Sequence, residues 1–133
     1  MNGYLLDTNA LLWLGFNETA LRPAARAKLF EAPLFLSSIS AAEVAIKAAI
    51  GKLPLPPPFQ TDFAAAFRTL LDRMAVDLIP LDMTAIEHLQ GLPLHHRDPF
   101  DRIIIAQALA SGLAVATRDR AFASYAGLEV LEV

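Results

Sequence analysis

Apolar residues along the chain fall into two patterns: short unbroken runs, and longer stretches in which they recur every three or four positions. The short runs are residues 3–6, 34–36, 77–81 and 113–117. Runs of this length, without polar alternation, predict strands buried on both faces. The periodic stretches predict helices over 9–16, 21–32, 40–50, 59–75, 83–90 and 99–111, with a short one over 120–125. Phe63, Phe67, Leu70, Leu71 and Met74 carry the period of the fourth. Pro23 suits a first helical turn, while Gly51 and Gly112 stand where two helices would be capped. Leu53–Pro58, rich in proline, reads as an extended connector. Val130-Leu131 is a candidate edge strand. Strands alternating with helices in this way predict an α/β fold: a three-layer α/β/α sandwich around a mostly parallel sheet, as a single domain over 1–133.

Composition narrows the function classes. At 133 residues the chain can bury a core of its own. An apolar fraction of 55% with a mean hydropathy of +0.42 is high for a monomer of this size. No stretch approaches the roughly 18 apolar residues that span a bilayer, so the surplus is expected in a protein–protein contact, either a homodimer or a stable complex. The N-terminus enters a strand directly, without the pattern of a signal peptide. Cysteine is absent, which excludes disulfides and thiolate–zinc centres and agrees with a cytoplasmic location. A net charge of −3 argues against broad duplex binding, though not against a nucleic acid held by a local arginine cluster.

The chemistry resides in the acids. Two strands run into aspartate, the first into Asp7 and the fourth, through Arg118, into Asp119. Glu43 and Asp101 fall in helices that begin at the same, carboxyl edge of the sheet, where open α/β sheets bind ligands. Carboxylates gathered there suit a hard divalent cation. Each also has a capping explanation. Ser40-Ala-Ala-Glu43 matches a capping box, Asp98-Pro99 matches a helix start with Asp101 in the first turn, and Asp7 and Asp119 precede helices. Capping needs one acid per helix, however, and Asp98 with Asp101 supplies two. Asp82 also sits between a strand and a helix but lacks comparable neighbours, and reads as a plain cap. Arg97, Arg102, Arg118 and Arg120, half of the arginines, bracket these acids. They pair with the acids or grip phosphate, for which the guanidinium fork is suited. Lys47, four residues after Glu43, is placed to pair along the helix. His95-His96 are weak ligand candidates, because adjacent histidines point apart in most backbones. There is no glycine-rich phosphate loop, no G-x-S-x-G elbow and no late lysine of a phosphate-receiving aspartate site.

Four segments arrive in a recognisable order: Leu5-Leu6-Asp7-Thr8-Asn9-Ala10-Leu11-Leu12-Trp13, Ser40-Ala-Ala-Glu43-Val-Ala-Ile-Lys47, His96-Arg97-Asp98-Pro99-Phe100-Asp101-Arg102 and Ala116-Thr117-Arg118-Asp119. Together with the Gly51–Pro56 connector, the chain resembles a PIN domain, and within that family the VapC-type toxins of bacterial toxin–antitoxin pairs. The resemblance implies a metal-dependent endoribonuclease, neutralised by a cognate antitoxin. Its acidic quartet falls on Asp7, Glu43, Asp101 and Asp119, which would hold Mg²⁺ or Mn²⁺, with Asp98 a possible contact through water. Thr8, Asn9 and Thr117 are candidates for orienting the carboxylates, and Arg102 or Arg118 for holding the scissile phosphate. The alternative is a non-catalytic binding module whose acidic pocket captures a basic segment of a partner protein.

Overall fold

The structure, a computed structural model, describes residues 2–133. Five strands, β1 (Tyr4–Leu6), β2 (Leu34–Ser37), β3 (Val76–Ile79), β4 (Ala114–Thr117) and β5 (Val130–Glu132), pair in the order β3-β2-β1-β4-β5. Every pairing is parallel. The helices are α1 (Thr8–Phe16), α2 (Pro23–Phe30), α3 (Ser38–Ala49), α4 (Pro57–Thr61), α5 (Phe63–Met74), α6 (Met83–Gln90) and α7 (Pro99–Ser111), with 3₁₀ turns over Glu18–Ala20 and Arg120–Ser124.

Side-chain alternation along the strands divides the core. On β1, Leu6 faces one side with Leu11, Leu14, Leu29, Phe67 and Leu71, so α1, α2 and α5 cover that face. Leu5 faces the other side with Ile104, Ile105, Val115 and Phe122, beneath α7 and the second 3₁₀ turn. This is the expected three-layer arrangement. The apolar runs of β1, β2 and β4 were readable as strands because both faces of these central strands are covered, whereas edge strand β3 leaves Asp77 and Leu78 exposed.

The chain winds β1, β2, β3 outward on one side, then crosses to β4 and β5 on the other. Strand order therefore reverses between β1 and β4, which makes their carboxyl ends the crevice where doubly wound sheets take ligands. Helix α3 packs against both α1 and α7 and so closes that crevice from the β2 side.

Several elements differ from those read in the sequence. The helix expected over 59–75 is two helices, broken at Asp62, whose extended backbone and carboxylate cap α5 through the Ala65 amide at 3.2 Å. The Phe59, Phe63 and Phe67 rings ladder across the break, with centroids 6.1 and 5.6 Å apart, so the period runs on where the backbone does not. Pro57 and Pro58, read as connector, instead open α4, the position where proline's missing N–H costs nothing. Helix α3 starts at Ser38 rather than Ser40, capped by the Ser37 hydroxyl at 3.1 Å from the Ile39 amide. The 120–125 segment is 3₁₀ rather than α, and β3 begins one residue early and stops at Pro80, which has no N–H to offer a ladder. Asp82 is the helix cap it was read as, accepting from the Ala85 amide at 2.9 Å.

Candidate metal centre

Asp7 leaves β1 directly at the switch point. Its Oδ1 caps α1 by accepting the Ala10 amide at 2.7 Å, and its Oδ2 accepts the Thr117 hydroxyl from the end of β4 at 2.5 Å. The same Thr117 oxygen accepts the Asp119 amide at 3.1 Å, so one hydroxyl ties the two strand-end acids together. Burial lifts Asp7 above the ordinary aspartate range despite these bonds, and the charges of Glu43 and Asp119 push the same way.

The earlier start of α3 changes the meaning of Glu43. The residue lies well inside the helix rather than in its first turn, so the capping-box account fails. Glu43 is buried and reaches α1, where Oε1 accepts the Thr8 hydroxyl at 2.6 Å. Its Oε2 takes the Lys47 ammonium at 2.7 Å, the helix pairing expected from their spacing. That bond raises the Lys47 pKa, with Asp98 and Asp101 adding to the effect.

On α7, Asp98 is the N-cap, accepting the Phe100 amide at 2.8 Å, with Pro99 at the first helical position and Gly112 closing the helix at φ 67°. Asp101 is half-buried in the first turn, and among the described residues no hydrogen bond reaches its carboxylate. Burial, with Asp98, Asp7 and Glu43 as negative neighbours, raises Asp101 to about 7, against a smaller opposing pull from His96. Asp119 behaves differently. Burial would raise it, but the Ala121 amide at 3.0 Å and His96 hold it below the usual carboxylate range.

Two of the four acids, Asp7 and Asp101, thus resist ionisation at this sheet edge, each through burial and neighbouring carboxylates. Carboxylates crowded beyond what their hydrogen bonds can offset either bind protons or bind a cation. Among the described residues, the group whose ligand atoms lie close enough to share an ion is Asp101, Asp119 and His96, all within 4.8 Å of one another, and Asp7 and Glu43 stand outside it.

The PIN domain family model matches residues 4–128. The chain belongs to the PIN domain family. Solved structures share its fold at low identity. VapBC2 from Rickettsia felis, bound to a DNA fragment from its promoter, superposes with a TM-score of 0.73 at 17% identity, covering 100% of this chain and 99% of that one. DNA-bound VapBC from Salmonella typhimurium gives 0.68 at 22%, covering 99% and 98%. A toxin–antitoxin complex from Klebsiella pneumoniae gives 0.62 at 24%, covering 98% and 100%. Among curated proteins, none matches the chain closely in sequence.

Around the acids of this PIN domain, Arg102, Arg118 and Arg120 are engaged elsewhere. Arg102 donates to the carbonyls of Leu92, Pro93 and His96 and so staples the loop before α7. Arg118 donates to the Val133 and Ala20 carbonyls and lies over the Trp13 ring at 4.0 Å. Phosphate contact by either would cost those bonds. Arg120 pairs with Glu132 at 3.5 Å, and among the described residues no arginine forms a salt bridge with Asp98, Asp101 or Asp119. Asn9 is exposed on the first turn of α1, and none of the described side-chain bonds joins it to an acid. The sequence reading gave least weight to His96, which the fold brings to Asp119 from 23 residues away. No local pattern signals that contact, because Tyr125, the ring's other partner, is also distant in sequence.

Proposed function

We propose that this PIN domain is a VapC-type toxin: a metal-dependent endoribonuclease held in check by a cognate antitoxin. The observation that carries the reading is the approach of Asp7, Glu43, Asp101 and Asp119 at the β1/β4 switch point, with Asp7 raised by burial and by Glu43 and Asp119, and Asp101 raised by burial and by Asp98, Asp7 and Glu43. The toxin–antitoxin character of the complexes that share the fold supports the biological role.

The donor set fits Mg²⁺ or Mn²⁺. It offers hard oxygen ligands, and its excess negative charge is what such an ion relieves. Asp7, Glu43, Asp101 and Asp119 would hold the ion, with Asp98 reaching it through water. When bound, a divalent cation supplies an activated water and neutralises charge on the scissile phosphate.

The chain's own residues prepare that chemistry. Thr117 fixes Asp7 and Thr8 fixes Glu43, each with a short hydroxyl bond, so neither carboxylate must be reoriented on binding. The N-termini of α1 and α7 open at the same edge and add partial positive charge for an RNA phosphate. Lys47, paired to Glu43 at 2.7 Å and 46% exposed, would reach substrate by giving up that bond. A negative protein overall suits recognition of a small single-stranded or looped element rather than a long duplex.

An antitoxin and a second copy of the chain are the expected partners, both in the cytoplasm. Among the described residues no helix is long and apolar enough to cross a membrane. The apolar surface left over includes a groove between α1, α4 and α5 lined by Phe16, Pro56, Phe59 and Leu70. The test is to incubate the purified chain with structured RNA and Mn²⁺, beside the Asp7→Asn variant. Cleavage by the wild type and not by Asp7→Asn is expected. Equal cleavage by both sinks the active-site assignment, and cleavage by neither favours a binding module.

A further inference from the structure

We propose that His96 is a nitrogen ligand of this cation site, which would make it a mixed imidazole–carboxylate centre with Asp101 and Asp119. The inference rests on reading the acids as a cation site and adds to it a donor of a different chemical kind.

The spacing, that of a hydrogen bond here, is also that of ligands sharing an ion. His96 Nε2 lies 3.0 Å from Asp119 Oδ2. Adjacent ligands on an octahedral ion with bonds of about 2.0–2.2 Å stand about 2.9–3.1 Å apart. A carboxylate oxygen of Asp101 completes the triangle, all three donors falling within 4.8 Å of one another. Opposite ligands on the same ion stand about 4.2 Å apart, so a small rotation of the Asp101 carboxyl suffices.

The ring is held for this task. Its side chain is 8% exposed. It stacks on Tyr125 at 5.5 Å with planes 15° apart, and meets the Phe122 ring edge-on at 4.9 Å. Its far nitrogen, Nδ1, is 3.0 Å from the Tyr125 hydroxyl. Without an ion Nε2–H donates to Asp119, but a tyrosine hydroxyl accepts as well as donates, so the ring proton can instead sit on Nδ1 and be given to Tyr125, leaving the Nε2 lone pair for an ion. Ligating histidines generally carry such a partner on the other nitrogen. The loop that presents the ring is fixed by the bonds from Arg102 to the Leu92, Pro93 and His96 carbonyls. His95 shows the contrast: its ring meets Tyr125 edge-on at 4.8 Å, and none of the described hydrogen bonds carries it toward the acids.

An imidazole among carboxylates shifts preference from Mg²⁺ toward first-row transition ions. The consequence is readable without any RNA. Mn²⁺ is titrated into the untagged full-length chain and followed by electron paramagnetic resonance, with a pulsed measurement of ¹⁴N coupling to the bound ion. The wild type is expected to show imidazole ¹⁴N coupling, which His95→Ala retains and which His96→Ala and His96→Gln lose. Mn²⁺ affinity should fall about tenfold in both His96 variants, with Mg²⁺ affinity, read by competition, falling less. Bound Mn²⁺ without ¹⁴N coupling in the wild type overturns the assignment, and needs no variant to fold. Unchanged Mn²⁺ affinity in His96→Ala overturns it as well. Asp101→Asn separates this failure from that of the wider reading. If Asp101→Asn loses Mn²⁺ affinity while His96→Ala does not, only the imidazole ligand is wrong. If Asp101→Asn also binds Mn²⁺ normally, or the wild type binds none, the cation site itself falls.

Discussion

Asp101 is the acid whose environment costs the metal-free protein most, and removing its charge should stabilise the fold. Its pKa rises from 3.8 to about 7, chiefly by burial and then by Asp98, Asp7 and Glu43. A carboxyl that binds its proton more tightly when folded stabilises the native state below its unfolded pKa. That contribution is lost as pH rises through the folded value. The window therefore runs from 3.8 to about 7, and above it the full cost of the charge is present. At about 1.4 kcal/mol per unit, a shift of this size in a dry site would reach about 4 kcal/mol. Asp101 is half open to water, so screening reduces this to about 1–2 kcal/mol. Loss of a favourable charge in the first turn of α7 offsets about 0.5 kcal/mol more. Asp101→Asn should then melt about 3–5 °C above the wild type near pH 8 in chelator, and level with it near pH 4. Saturating Mn²⁺ should reverse the order, since a ligand at about 100 times its dissociation constant adds about 2.7 kcal/mol to the form that binds it. Calorimetric or fluorescence melts across that pH range, with and without Mn²⁺, make the comparison. Parallel pH profiles for the two proteins, or a variant that Mn²⁺ stabilises as much as the wild type, would refute the reasoning.

Other consequences are as specific. Thr117→Val strips Asp7 and the Asp119 amide of one shared partner; it should cost about 1–3 kcal/mol in denaturant melts and about 10-fold or more in Mn²⁺ affinity by calorimetric titration. Lys47→Met removes the ammonium that neutralises Glu43, so divalent-cation affinity should rise in the same titration while the melting point falls slightly; a drop in affinity would show that Lys47 does not compete with the ion. Because Asp101 must ionise to bind a cation, Mn²⁺ affinity should weaken as pH falls through about 7, a proton competing for the site, and Asp101→Asn should flatten that dependence. Arg102→Gln releases the loop before α7, and hydrogen exchange at residues 92–96 should accelerate while the β1 amides stay protected.

The parts of this molecule that local physics decides were legible before folding. Leu5-Leu6 and Val115-Ala116 announce strands because both faces of a parallel sheet are dry, and Asp7 and Asp119 are legible as strand-end acids for the same reason. Pro99 and Gly112 mark the ends of α7 through backbone restrictions that hold in any context. What stayed hidden depends on partners far along the chain. The Asp62 break is masked because three phenylalanines keep their period across it. The true start of α3 turns on which of four neighbouring residues, Ser37, Ser38, Ile39 or Ser40, leaves the strand, and a shift of two residues converts Glu43 from a cap into a buried acid facing Thr8. The direction of His96 is set by Arg102, Phe122 and Tyr125, none of which is adjacent to it. The strand order that brings Asp7 beside Asp119 is likewise a property of the whole sheet.

The central claim is that Asp7, Glu43, Asp101 and Asp119 act as one cation-dependent hydrolytic site. Single-turnover cleavage of a structured RNA in Mn²⁺ tests it most directly, comparing the amide variant of each acid with Asp82→Asn, the capping aspartate outside the site. Loss of about 10²-fold or more in all four, with Asp82→Asn cleaving at the wild-type rate, is the predicted result. Activity surviving in any of the four, or lost equally in Asp82→Asn, would contradict it.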